Sequence, residues 1–264
     1  VTKWQIGDEV SAIPFLSWDQ NGNWTSEASN KYGTYGDTAI LPDWTISKKI
    51  DSQSFEESTS IWAQYLTAWG GLIYNNNISD NQYCVFTGAS SNAAIGGMQI
   101  TKSFGLKSIA ISRNLNKKNE LISIGYDNVL SLSDPLLEKK IIELTNGAGF
   151  DLAYDCVGGE YFHHLINTAK PNALIVNYGN LNLNLSKIET LIPLRKRLKI
   201  RFHSIFDTMR FEEQREEGIK WVNSYIEKNI LKPIIFKVFK FEDIVEAHKN
   251  LEIANHIGKI VVKT

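Results

Sequence analysis

The sequence predicts an α/β fold, a doubly wound parallel sheet, on three observations. Short apolar runs of strand-forming residues alternate with stretches of helical length from Tyr83 to Gly179. The loop after the first run, Thr87-Gly88-Ala89-Ser90-Ser91-Asn92-Ala93-Ala94, is built almost wholly of small residues. The next run, Ser108-Ile109-Ala110-Ile111, ends on Ser112-Arg113, with Lys117 and Lys118 close behind and no acid until Glu120.

Tyr83-Cys84-Val85-Phe86 is apolar enough for a strand buried on both faces. After the small loop, Ala94, Ile95, Met98, Thr101 and Gly105 recur at helical spacing. A pyrophosphate needs backbone N–H groups at a helix N-terminus and no bulky side chain in its way. Ser90, Ser91, Asn92 and Ala93 meet that need with Ala and Ser where a dinucleotide loop usually carries Gly, so the Gly-x-Gly-x-x-Gly pattern is not literally present. An NAD site places an acid at the end of the second strand to accept from the ribose 2′-hydroxyl. A carboxylate repels a 2′-phosphate, whereas Ser112 with Arg113 would bind one, so the residues predict NADPH as cofactor.

Composition excludes several classes. With 28 basic and 29 acidic residues, the net charge of −1 gives no global field for nucleic acid or an anionic membrane. No apolar run approaches the ~18 residues of a membrane span. Cys84 and Cys156 form neither a disulfide framework nor a zinc quartet, and each sits in or beside a predicted buried strand. A cytoplasmic, reduced protein is expected. The five histidines, His163, His164, His203, His248 and His256, show no ligand spacing, so no metal is predicted.

In chain order, Gly7-Asp8 turns into a strand at Val10–Ile13. Ser17–Gly33 is polar and predicts a long surface loop, a candidate lid, and Thr38–Leu41 predicts another strand. Ser54-Phe55-Glu56-Glu57 is a capping box that opens a helix with an apolar stripe of Ile61, Trp62, Tyr65, Leu66 and Trp69. Beyond Ser112-Arg113, helices at Asn116–Ile124 and from Asp134-Pro135 to Thr145 alternate with strands at Asn128–Leu130 and Phe150–Tyr154. Asp155-Cys156-Val157-Gly158-Gly159 leads into a helix at Tyr161–Lys170, followed by the strand that reaches Tyr178-Gly179. Ligands of such sheets lie at the carboxyl ends of strands, where Ser90–Asn92, Ser112-Arg113, Cys156-Val157 and Tyr178-Gly179 all fall. Arg195–Phe202 looks basic, but Leu198, Ile200 and Phe202 alternate with the charges, which predicts an edge strand rather than a nucleic-acid contact. A charged amphipathic helix at Phe211–Lys228, a strand from Pro233, a helix at Phe241–Leu251 and a strand at Gly258–Val262 close the chain.

The Gly-Asp-x-Val opening, Tyr32–Gly36, Gln64–Trp69, Asp155–Gly159, Glu246-Ala247-His248 and Ile257–Val262 together resemble the zinc-independent quinone oxidoreductases of the medium-chain dehydrogenase/reductase superfamily. The resemblance implies a GroES-like substrate domain of residues 1–58 and 230–264, with a Rossmann domain of residues 59–229 inserted. Further strands precede the Gly-Asp-x-Val turn in such proteins, so the substrate domain is expected to be N-terminally incomplete. The implied activity is hydride transfer from NADPH to the activated double bond of a quinone, enone or enal. Thr67, Tyr178, Gly179 and Phe206 are the implied nicotinamide neighbours, and Cys156 and Val157 complete the cofactor set. A homodimer joined through the edge strand near Leu198–Phe202 is the expected assembly. Tyr35 and Tyr65 are candidate proton donors, with Tyr178 or water as alternatives. An enoyl-thioester reductase and a non-catalytic NADPH-binding protein remain the competing readings.

Overall fold

The computed structural model describes residues 3–113 and 115–264 of the chain. Its contacts divide the chain into two compact units, Val1–Leu66 with Ile205–Thr264, and Thr67–Ser204.

The first unit opens with β1 (Val10–Ala12), β2 (Ser17–Trp18), β3 (Trp24–Thr25), α1 (Glu27–Lys31) and β4 (Ile46–Lys48). Strands β1 and β4 pair antiparallel with Ser11 opposite Ser47. The expected long loop is partly ordered. β2 and β3 form a small hairpin whose turn is closed by the Asp19 carboxylate, accepting the Asn21 and Asn23 amides at 2.8 Å each. Residues 38–41 are not a strand, and Ile40 stands 86% exposed with no core to face. Helix α2 (Phe55–Ala68) starts at the predicted capping box: Ser54 N–H donates to the Glu57 carboxylate at 2.8 Å, and Glu57 N–H to the Ser54 hydroxyl at 3.1 Å. Its stripe of Ile61, Trp62, Tyr65 and Leu66 is buried, and the Trp62 indole donates to the Ser11 hydroxyl at 2.7 Å.

The second unit holds β5 (Tyr83–Thr87), α3 (Asn92–Ser103), β6 (Lys107–Ser112), α4 (Lys118–Ser123), β7 (Asn128–Ser131), α5 (Leu137–Leu144), β8 (Phe150–Asp155), α6 (Phe162–Thr168), β9 (Ala169–Asn177), α7 (Leu191–Lys196) and β10 (Lys199–Phe202). Its six strands lie in the order β10-β9-β8-β5-β6-β7, every pair parallel, as the Rossmann expectation requires. The reversal of strand order beside β5 brings the ends of β5, β6 and β8 together. On one face Val85, Ile109, Phe150, Ala153 and Ile175 pack against Leu137 and Ile141 of α5 and Phe162 and Leu165 of α6. The basic stretch is structural. Lys196 Nζ donates to the carbonyls of Ile166, Asn167 and Ala169, where α6 ends, and Arg201 donates to the Tyr74 carbonyl at 3.1 Å.

The chain then completes the first unit with α8 (Ile205–Arg210), α9 (Glu212–Glu227), β11 (Ile235–Lys240), α10 (Ile244–Ile253) and β12 (Lys259–Lys263), β11 and β12 pairing parallel. The sequence placed the unit boundaries near 58 and 230, whereas the contacts place them at 66/67 and 204/205. Side chains account for the shift. Trp62 binds Ser11, the Arg215 guanidinium lies 5.0 Å from the Trp44 ring centre, and Asn223 reaches Ser47, so most of α2 and all of α9 pack with the first unit. Among the described residues no helix is long and apolar enough to cross a membrane.

Candidate cofactor site

The carboxyl ends of β5, β6, β8 and β9 converge within the second unit, and a single buried acid knits three of them. Asp155, 1% exposed at the end of β8, accepts the Thr87 hydroxyl from β5 and the Asn177 amide from β9, the latter at 2.7 Å. It also accepts Val157 N–H and Gly158 N–H at 3.1 Å each. The Thr87 hydroxyl in turn accepts Cys156 N–H at 3.1 Å. A buried carboxylate with this many donors is satisfied, and it holds the loop after each strand in one conformation.

The small-residue loop follows directly. Gly88 sits at φ +54°, and a Cβ there would lie 2.6 Å from the Cys156 sulfur, so only glycine lets the two strand ends approach this closely. Ser91 caps α3: its hydroxyl accepts Ala94 N–H at 3.3 Å, and its amide donates to the Gly88 carbonyl at 2.8 Å. Ser90, Ser91, Asn92 and Ala93 are half-buried over the first turn of this helix, where main-chain N–H groups lack partners inside the helix. A diphosphate fits that cradle of small side chains.

At the end of β6, Ser112 is buried and Arg113 exposed. The Lys117 ammonium is held below its ordinary range by burial and by the Arg113 charge, with Glu120 opposing, which makes Arg113 and Lys117 electrostatic neighbours. Across the loop, Tyr178 stacks on Tyr154 with ring centres 3.8 Å apart and planes at 19°, and its hydroxyl is 3.4 Å from that of Ser91. Burial pushes up the Cys156 thiol, so the cysteine is an inert filler beside Ser91 and Thr87. The Asn177 amide also donates to the Gly179 carbonyl at 3.0 Å, fixing the turn after β9. Thr67 is buried, and its backbone is bonded to the His203 ring at the far end of the same unit. His203 is 7% exposed, and burial, then the Arg201 charge, lower its pKa to about 4.

The second unit thus gathers Ser90–Ala93, Ser112, Arg113, Lys117, Cys156, Val157, Tyr178 and Gly179 around the strand ends. Three expected residues belong to the first unit. Phe206 rests edge-on against Trp24 at 5.7 Å, and Tyr35 stands 69% exposed with its ring 5.9 Å from that of His248. Tyr65 is wholly buried, and burial raises its phenol far above the ordinary range, so its surroundings are those of a core residue. Sequence reasoning missed Asp155 and Asn177 as the organisers of the loops. The signal was an acid closing a continuous apolar strand. Cys84 lies inside the sheet, and among the described residues one group of three His, Cys, Asp or Glu converges well enough to hold a metal ion, on α5 and α6.

A family model described as zinc-binding dehydrogenase matches residues 124–262, more than half of the chain. Human quinone oxidoreductase is 22% identical over 249 residues, covering 93% of this chain and 72% of its own. Escherichia coli quinone oxidoreductase complexed with NADPH superposes with a TM-score of 0.76 at 19% identity, covering 86% of this chain and 71% of its own. The apo JamJ enoyl reductase gives 0.81 at 22%, covering 100% and 74%. An NAD-dependent alcohol dehydrogenase gives 0.79 at 24%, with 88% of this chain matched to 65% of that one, so this chain spans just under two thirds of its length. The structures agree on the fold and the family model on the descent: the chain belongs to the zinc-binding dehydrogenase family of the medium-chain dehydrogenase/reductase superfamily.

Proposed function

We propose that the protein is an NADPH-dependent reductase that delivers a hydride to the activated double bond of a quinone, enone or enal without using zinc. The observation that carries the reading is the pairing of a small-residue loop capped by Ser91 with Ser112, Arg113 and Lys117 at the end of the neighbouring strand. The nucleotide, when bound, supplies the hydride. The chain supplies the rest. The N–H groups of Asn92 and Ala93, in the first turn of α3, face the diphosphate, with Ser90 and Ser91 lining the loop, and Arg113 and Lys117 offer two cations to the 2′-phosphate. Asp155, through Thr87, Cys156, Gly158 and Asn177, keeps the cleft walls from shifting. Thr67, Tyr178, Gly179 and Phe206 are the proposed neighbours of the nicotinamide. Tyr35 is open to solvent and Tyr65 is enclosed, which favours water or Tyr35 over Tyr65 as proton source.

Supporting a zinc-independent reading, among the described residues at these strand ends the acid Asp155 is spent on protein donors and Cys156 is buried. The proposed protein is a cytoplasmic homodimer joined along β10, whose Phe202 is 71% exposed on the sheet edge.

Calorimetric titration with NADPH and NADH tests the cofactor, and tighter NADPH binding is the expected result. Equal affinities would remove the role of Arg113 and Lys117. The likeness to an enoyl reductase favours a second reading, enoyl-thioester reduction. Comparing rates with crotonyl-CoA and a small quinone separates the two, and nucleotide binding without turnover of either would mark a non-catalytic protein.

A further inference from the structure

We propose a divalent transition-metal site, of zinc-type ligand chemistry, on the outer helices of the second unit at Glu138, His163 and His164. It is separate from the strand ends and takes no part in hydride transfer. Glu138 lies in the first turn of α5, and His163 and His164 in the first turn of α6. One ligand atom from each lies within 4.8 Å of the others. Neutral imidazole with carboxylate is a donor set suited to zinc, copper or nickel rather than to calcium or magnesium.

The hydrogen bonds around the group set its chemistry. His163 Nδ1 faces the Glu160 carbonyl within hydrogen-bond distance. A carbonyl only accepts, so Nδ1 carries the proton and the neutral ring presents a lone pair at Nε2. Nε2, the nitrogen left to bind a metal, lies 4.0 Å from Glu138 Oε1. Zinc sits about 2.0–2.2 Å from imidazole nitrogen and carboxylate oxygen in a tetrahedral site, which holds two donors about 3.4 Å apart, so Nε2 and Oε1 close by about half an ångström to share one ion. His164 Nδ1 donates to the same Oε1 at 2.7 Å, and Asn167 Nδ2 donates to it at 3.0 Å. For His164 to bind through Nδ1, its ring carries its proton on Nε2 and the Nδ1–Oε1 hydrogen bond gives way to the ion. Asn167 orients the carboxylate from the second layer, the arrangement that tunes known sites.

Lys196 is the opposing charge nearby, and its ammonium is tied to the carbonyls of Ile166, Asn167 and Ala169 rather than to Glu138. The side chains of His163, His164 and Glu138 are 53%, 24% and 39% exposed, so water completes the coordination. A groove of about 580 Å³, lined by His163, Glu160 and Asn167, gives the ion a path in. Bound there, the ion clips α5 to α6.

Titration of the complete protein with zinc ion, followed by calorimetry and by melting temperature, tests the site. One equivalent is expected to bind and to raise the melting temperature, since a ligand held only by the native state stabilises it. His163→Gln keeps the His164–Glu138 bond and so preserves the fold. It is expected to weaken zinc at least about tenfold and to leave NADPH affinity unchanged. Glu138→Gln should weaken zinc similarly, while His248→Gln in the first unit should not. No zinc uptake in the micromolar range, or uptake equal in wild type, His163→Gln and Glu138→Gln, would overturn the proposal.

Discussion

The Thr87 hydroxyl donates to the Asp155 carboxylate across the paired strands β5 and β8, a bond between side chains 68 positions apart in the chain. It locks the start of the small-residue loop to the end of the strand that carries Cys156 and Gly158. Replacing Asp155 by Ala leaves the Thr87 hydroxyl, two amides and the Asn177 side chain without their acceptor in a buried place. Each orphaned donor costs about 1–3 kcal/mol. Relaxation recovers part of that sum, so urea denaturation is expected to show a loss of about 3–5 kcal/mol, with nucleotide affinity falling in parallel. Asp155→Asn, which keeps one acceptor oxygen, is expected to lose less.

Gly88→Ala sets a methyl group 2.6 Å from the Cys156 sulfur at φ +54°. A left-handed non-glycine residue alone costs about 1–2 kcal/mol, and the clash adds to it. Expected is a stability loss of about 2 kcal/mol or more, read from chemical denaturation. A stability equal to wild type would mean that the β5 and β8 ends tolerate separation.

Arg113→Ala removes a charge-assisted contact to the proposed 2′-phosphate. The expected result is a loss of about tenfold to a hundredfold in NADPH affinity with NADH affinity nearly unchanged. Isothermal titration with both nucleotides decides it. An equal loss for both would move Arg113 from reading the phosphate to supporting the fold.

His203 gives the protein a pH-dependent stability with a defined sign. Its folded pKa is about 4, below the ordinary 6.5, so between those values the unfolded chain binds the proton that the native chain refuses. Stability is therefore complete above about pH 6.5 and declines as pH falls towards 4, by of order 3 kcal/mol across the window. His203→Gln is expected to flatten this part of the profile, measured as unfolding free energy at pH 7 and pH 5.

Much of the second unit was legible because its signals are local. The run at Tyr83–Phe86, the small residues after it and the alternation of strands with helices each sit within a dozen residues, and the capping box at Ser54 and Glu57 needs only four. What the sequence hid is carried by partners distant along the chain. Asp155 meets Thr87 and Asn177 from different strands, and Glu138 meets His163 and His164 from another helix. No spacing rule reveals such groups before the fold assembles them. The contact units divide elsewhere than residues 58 and 230 for the same reason, since the pairing of Trp62 with Ser11 spans 51 positions. Residues 38–41 show the converse: β-favouring composition does not make a strand where Ile40 has nothing to pack against.

The bond between the Thr67 backbone and the His203 ring has a consequence for the order of assembly. Those residues lie at the two ends of the second unit, which interrupts the first. Once the inserted unit has formed, its entry and exit are already side by side, and the entropy of closing a 138-residue excursion (67 to 204) has been spent inside it. The two separated segments of the first unit then associate as though joined by a short tether. Biogenesis is thus expected to run from the inserted unit outward, the flanking segments gaining protection from hydrogen exchange last.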